Sequence, residues 1–265
     1  MSGACGARGV VQAVGRALDL LELLSRSDAG CRLKDLSRHS GLAASTVHRL
    51  LTTLYDRNYV EFDRETFSWR IAHNSLAVGA AFLRRRDLLE IALPRMRELA
   101  AKCAVTVNLG VLSDRNVLLM HQVFVTQSGT APFPHGTRLP LHVSAMGKIL
   151  LLSETGARRE AIIFQSILQR ITFNTITHPT RLCREIEAAA DHGFAMDDEE
   201  SEIGKRCVAA PIYDERGQVM AAISLSACKT RLADAAVARA AEQVTAASKA
   251  ITRACGGYIP PVTPS

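Results

Sequence analysis

Apolar residues recur at three- and four-residue intervals from Val14 to Leu24 (VGRALDLLELL), which predicts a first helix over about residues 12–25. Ser27-Asp28-Ala29-Gly30 reads as a turn. A short helix follows at about 33–39, Ser40-Gly41 interrupts it, and a third helix runs from about 43 to 56. The period then changes. Residues 59–62 and 68–71 read as two short strands around the Asp63-Arg64-Glu65-Thr66 turn. Three helices followed by a hairpin is the order of a winged helix-turn-helix. Residues 74–86, ending in Arg84-Arg85-Arg86, read as a linker helix, and 87–103 as an amphipathic helix that Pro94 is expected to kink or break.

Beyond residue 103 the pattern is mixed α and β. Strands are expected at 105–112 and 117–124, joined by the tight Ser113-Asp114-Arg115-Asn116 turn. An irregular stretch (SGTAPFPHGTRLPLH) leads to helices near 144–152, 156–164 and 179–192. Strands near 194–197, 207–213 and 219–226 follow, the last two linked by Asp214-Glu215-Arg216-Gly217. An Ala-rich helix over about 231–254 closes the domain. The expected organisation is a winged helix-turn-helix over 10–72, a linker helix over 73–86, an α/β domain over 87–255 and a flexible tail over 256–265, an α+β chain overall.

The segment GLAASTVHRLLTTL (41–54) carries the clearest chemistry. Val47, Leu50, Leu51 and Leu54 share one helical stripe. Ser45, Arg49, Thr52 and Thr53 take the opposite face, with Thr46 and His48 at its edges. Short hydroxyls can approach phosphates and base edges closely, and an Arg can bridge guanine O6 and N7, so this face suits a DNA major groove. Arg64 at the hairpin tip, and Arg70, could reach the flanking backbone. Either could equally be a solvated surface charge, as the Arg84–Arg86 run is expected to be.

Charge distribution fits this reading. The net charge of +6 is concentrated in residues 1–102, which hold 16 Lys/Arg against 11 Asp/Glu, the balance a phosphate-binding module needs. The seven cysteines are scattered without a CxxC pair, and the eight histidines lack metal spacing, so no metal or other cofactor is expected. The N-terminus has no apolar core of a secretory signal, and no run is long enough to span a membrane, so a cytoplasmic protein without a membrane partner is expected.

In the second domain, Ser144-Ala145-Met146-Gly147 opens a helix after the loop containing Pro140. The first amides of a helix lack internal partners and carry partial positive charge, so they could hold a carboxylate. Ser224 and Ser226 point to one face of the last strand and Ile223 and Leu225 to the other. The two hydroxyls could line a polar cavity, or they could face solvent on a sheet edge.

Several ordered motifs resemble the isocitrate lyase regulator (IclR) family of bacterial transcription factors. They are Ala13-Val14-Gly15-Arg16-Ala17-Leu18, STVHRLL (45–51), LPLHVSAMGKILL (139–151) and GFAMDDEESEIGKRCVAAPIYDERGQVMAAISLS (193–226). The resemblance, over about residues 10–255, implies a winged helix-turn-helix joined to a GAF- or profilin-like effector domain. It also implies homodimers or homotetramers on palindromic double-stranded operators, and a regulator rather than an enzyme. Within the family, VGAAFLRRRDLL (78–89), TVNLGV (106–111) and the spacing from Asp197 to Cys207 resemble the glyoxylate-responsive allantoin-regulon repressor type. That likeness implies a small carboxylate effector, glyoxylate or a related 2-oxo acid. It would rest on the amides of Ala145 and Met146 and on the side chains of Asp197, Cys207, Ser224 and Ser226. Ser68-Trp69-Arg70-Ile71-Ala72 and Met146 depart from the family pattern, the latter beside the expected pocket. For Asp198, Glu199 and Glu200 the expectation is a solvated acidic turn. Two other readings stand beside the repressor: an activator of an aromatic-acid operon, and an enzyme using Cys207 with His142 or His121 as nucleophile and base.

Overall fold

The computed structural model describes residues 11–27, 29–84, 88–134 and 136–261, and the side chains of 80–84 are not described. Cys5, Asp28 of the first turn, the Arg84–Arg86 side chains and 262–265 therefore lie outside the described residues. The chain divides into two compact units between residues 86 and 87.

In the first unit, helices α1 (Gln12–Leu24), α2 (Leu33–Ser40) and α3 (Ala44–Asp56) precede a hairpin of β1 (Val60–Asp63) and β2 (Ser68–Ile71), then α4 (His73–Arg84). Leu20 and Leu24 of α1, Leu36 of α2, Val47 and Leu51 of α3, and Val60 and Trp69 of the hairpin form one buried cluster. Each of these larger aliphatic side chains contributes about 1.5–3 kcal/mol by leaving water. Gly41 ends α2 with a left-handed φ of 68°, which lets α3 leave at a sharp angle. Cys31 exchanges both backbone hydrogen bonds with Trp69 and so fixes the hairpin to the helical body.

The second unit is a six-stranded antiparallel sheet. It is built from β3 (Thr106–Ser113), β4 (Asn116–Val123), β5 (Arg138–Pro140), β6 (Ala195–Asp198), β7 (Lys205–Tyr213) and β8 (Val219–Cys228), in the order β5-β4-β3-β8-β7-β6. On one face, Val107, Leu109, Val208, Ala210, Ile223 and Leu225 pack under α5 (Leu88–Cys103) and α9 (Asp234–Ala254). On the other, Ala209, Ala222, Val117 and Leu119 meet α6 (Ala145–Leu150), α7 (Gly156–Phe164) and α8 (Pro179–His192).

Three details differ from the sequence expectation. Helix α5 continues unbroken through Pro94; the ring removes one amide donor, and the packing of Leu88, Ala92, Met96 and Leu99 holds the helix together. The irregular stretch contains β5, whose Pro140 is tolerated because β5 is an edge strand with only β4 beside it. The tail is held at its start, where the Gly257 amide donates to Thr252 and the Tyr258 amide to Asp214. Among the described residues, no helix is long and apolar enough to cross a membrane.

Candidate functional site

Helix α3 buries Val47 and Leu51 and leaves Ser45, His48, Arg49, Thr52 and Thr53 exposed, with Thr46 half-buried. The Thr52 and Thr53 hydroxyls donate back to the carbonyls of His48 and Arg49, at 2.9 and 3.0 Å, which leaves their lone pairs facing outward. The His48 ring stands edge-on to Trp69 of β2, centroids 6.5 Å apart, so His48 bridges the helix face and the hairpin. At the hairpin tip Arg64 is exposed. Arg70 is less so: Asp63 holds it at 3.0 Å while also capping the turn amides of Glu65 and Thr66. This ion pair ties Arg70 to the hairpin turn while leaving its side chain partly exposed.

In the second unit, Met146, Asp197, Cys207, Ser224 and Ser226 converge on a single cavity of about 240 Å³. The register explains the convergence. Asn108 faces Ser224 across β3 and β8, Ser226 faces Cys207 across β8 and β7, and Cys207 faces Asp197 across β7 and β6. These positions share one pleat face, so a polar row crosses four strands in an otherwise apolar layer. Larger hollows in this unit, of about 430 and 910 Å³, bring together none of the effector residues expected from sequence.

The row is internally bonded. Asn108 Nδ2 donates to Ser224 Oγ at 3.2 Å and to Ser226 Oγ at 3.0 Å, and Cys207 Sγ and Ser226 Oγ are 3.0 Å apart. Gln122 Nε2 donates to Asn108 Oδ1 at 2.8 Å, and its own carbonyl oxygen accepts from the Phe133 amide at 3.0 Å. Asp197 Oδ2 accepts from the Ser201 hydroxyl at 2.6 Å, and Oδ1 from the amides of Glu200 and Ser201. Burial pushes the Asp197 carboxyl above the usual range, against those hydrogen bonds. Burial, aided by Asp197, also drives the Cys207 thiol up to about 12. A nucleophilic cysteine needs the opposite shift, so the thiol here is a neutral donor and packing group.

Helix α6 ends the cavity. Met146 lines it, while the Ala145 side chain is buried in the apolar layer and only its amide is placed at the helix opening. Gly147 permits this approach, since a Cβ there would lie 2.1 Å from the Leu141 carbonyl oxygen. The next residue, Lys148, is fully buried. Its ammonium donates to Glu200 Oε1 at 2.6 Å and to the Met196 carbonyl at 2.7 Å, with Glu185 at 3.6 Å. Burial raises the Glu200 carboxyl to about 7 although Lys148 pulls it down.

The expectation of a solvated turn at Asp198–Glu200 is therefore corrected. Asp198 pairs with Arg206 at 2.6 Å, Glu199 is buried against Lys229, and Glu200 is buried against Lys148. Each carboxylate has a cation from a different element, which pins the turn that presents Asp197. Asn108 and Lys148 were not singled out from sequence. An asparagine inside the apolar strand TVNLGV was the available signal for the first. Nothing local marked the second.

Relatives fit this geometry. The "Bacterial transcriptional regulator IclR C-terminal" family matches residues 80–253, and the "IclR helix-turn-helix domain" family matches 13–64. The chain belongs to the IclR family. The HTH-type transcriptional regulator BhcR of Paracoccus denitrificans is 36% identical over 92% of this chain and 87% of its own length. The HTH-type transcriptional repressor AllR of Escherichia coli is 34% identical over 92% and 90%. An IclR-type regulator from Silicibacter sp. TM1040 shares the fold with a TM-score of 0.85 at 24% identity, over 96% of this chain and all of that one. IclR-family membership makes the chain a DNA-binding transcriptional regulator, and the relatives are regulators and repressors, not enzymes.

Proposed function

We propose that this protein is a cytoplasmic repressor whose grip on a palindromic operator is set by a small carboxylate, glyoxylate or a related 2-oxo acid, bound in the 240 Å³ cavity. The observation that carries the reading is the buried polar row. Asn108, Ser224, Ser226 and Cys207 occupy one face of a sheet at a cost in hydrophobic packing, and they line one hollow. Hydroxyls, an amide and a neutral thiol suit the oxygens of a short oxo acid, with the amides of Ala145 and Met146 taking its carboxylate. Asp197 accepts from a hydrate or hydroxyl, since two bare carboxylates repel.

On the DNA side, Ser45, Thr46, His48, Arg49, Thr52 and Thr53 meet the major groove, and Arg64 the flanking backbone. One winged domain contacts few base pairs, so a homodimer or homotetramer supplies useful specificity. The exposed apolar residues Val11, Val14 and Leu18 of the first helical segment, and Leu76 and Val78 of α4, suit burial between copies. Coupling of effector to operator requires a difference in ligand affinity between DNA-bound and free states of about 1–3 kcal/mol.

Gel shift of the protein's own promoter tests this. Binding should be selective over random duplex, and glyoxylate or pyruvate should lower it. A response to benzoate-type acids alone would favour the aromatic-operon activator. No response to any acid removes the effector reading and leaves DNA binding standing.

A further inference from the structure

Lys205 opens β7 two residues before Cys207, so its side chain leaves the sheet on the cavity face. It is 12% exposed, and its neighbours are soft ones. The ammonium stands 4.9 Å from the centroid of the Phe133 ring, and the nearest carboxylate, Glu202, is 3.8 Å away and 69% exposed. The other buried cations of this region do better: Lys148 and Arg206 each reach a carboxylate oxygen at 2.6 Å. A lysine whose stem is mostly covered, and whose ammonium meets only a ring face and a loose solvent-exposed carboxylate, keeps donors available for another anion. What lies in front of it is the cavity.

We propose that Lys205 is a second anion-recognition point of this cavity, and that the effector is a short oxo- or hydroxy-dicarboxylate. The inference rests on the effector reading above and narrows its ligand class. One end of the ligand meets the Asn108–Ser224–Ser226–Cys207 group and the opening of α6. The other end meets Lys205, which β-strand rise places roughly 7 Å along β7 from Cys207. The cavity, at about 240 Å³, is roughly eight times the liquid volume share of one water, more space than a two-carbon acid fills. Glu202, being exposed, can turn to solvent as the second carboxylate takes its place. Phe133 ties the two ends together, because its amide is held by Gln122, Gln122 holds Asn108, and its ring holds Lys205.

Calorimetry on the full-length protein tests the assignment with two matched pairs, pyruvate against oxaloacetate and lactate against malate. Each dicarboxylate should bind at least about tenfold tighter than its partner. Lys205→Met should bring the pair to parity while leaving the monocarboxylate within about twofold, and Lys205→Arg should retain the preference. Lys205→Gln asks the same question if Lys205→Met does not fold. Equal or tighter binding of the monocarboxylates by the parent protein, or a preference that survives in Lys205→Met, overturns the inference and leaves the effector reading intact. Absence of binding by all four acids overturns this inference, and absence of glyoxylate binding as well removes the effector reading with it.

Discussion

The two faces of the central sheet are written by alternate residues of the same strands, yet they differ completely. Beneath α5 and α9 lie Val107, Leu109, Val208, Ala210, Ile223 and Leu225, with no polar side chain among them. One position away on each strand lie Asn108, Cys207, Ser224 and Ser226, bonded to one another and facing a hollow. The dry face supplies the stability that allows the wet face to carry a buried polar row. If that division holds, a substitution on the dry face should change folding and leave ligand selectivity alone, and one in the polar row should do the reverse.

The largest expected effect tests an apparent exception. Lys148 lies on the wet side, but it holds the 197–201 turn rather than lining the cavity. Lys148→Met leaves Glu200 buried without its cation and should cost about 3–5 kcal/mol of unfolding free energy, read by urea denaturation. A cost below about 1 kcal/mol would show that the pair is not what fixes the turn. Next comes Ile223→Ala on the dry face, which should cost about 2–5 kcal/mol and leave the ratio of effector affinities unchanged in calorimetry. A changed ratio at this position would break the division between the faces.

Glu200 sharpens the comparison through pH. Its carboxyl is raised in the fold, to about 7 from 4.5, chiefly by burial, and Lys148, Asp197 and Glu185 surround it. A raised folded-state value contributes stability below the unfolded value and loses it as pH climbs through the folded one. The parent domain should therefore lose up to roughly 3 kcal/mol between pH 5 and 8 from this group. Glu200→Gln, which cannot ionise, should gain on the parent across the same window, measured as the difference in melting temperature at each pH. Parallel pH profiles for the two proteins would refute the assignment.

How much of this was written in the sequence follows from how local each feature is. The reading helix was legible because Val47, Leu51, Ser45 and Arg49 are separated by single turns, and a hydrophobic stripe fixes which side faces out. The faces of β8 were legible because Ile223, Ser224, Leu225 and Ser226 alternate. That the serines face a cavity rather than solvent was not, since it depends on α6 covering them. Lys148 reads as an ordinary helix lysine until Glu200, 52 residues later, is brought against it. The acidic turn misled for the same reason, its cations Arg206, Lys229 and Lys148 coming from three separate elements. Lys205 was passed over inside a family motif that drew attention to Asp197, Cys207, Ser224 and Ser226.

The smallest effect on folding is also the most specific. Ser226 receives the Asn108 amide and meets the Cys207 thiol, so Ser226→Ala removes one member from a row that Asn108 and Ser224 still bridge. Replacing a hydroxyl whose partners keep other bonds should shift stability by about 1 kcal/mol or less. The same change removes a hydroxyl from the cavity wall, so binding of an oxo acid should weaken about tenfold, a loss of roughly 1.4 kcal/mol. Paired melts and calorimetry separate the two quantities. Affinity lost without stability places the effector on the polar row. Stability lost with affinity intact would make the row a structural feature of the sheet, and the ligand would have to be sought elsewhere in the domain.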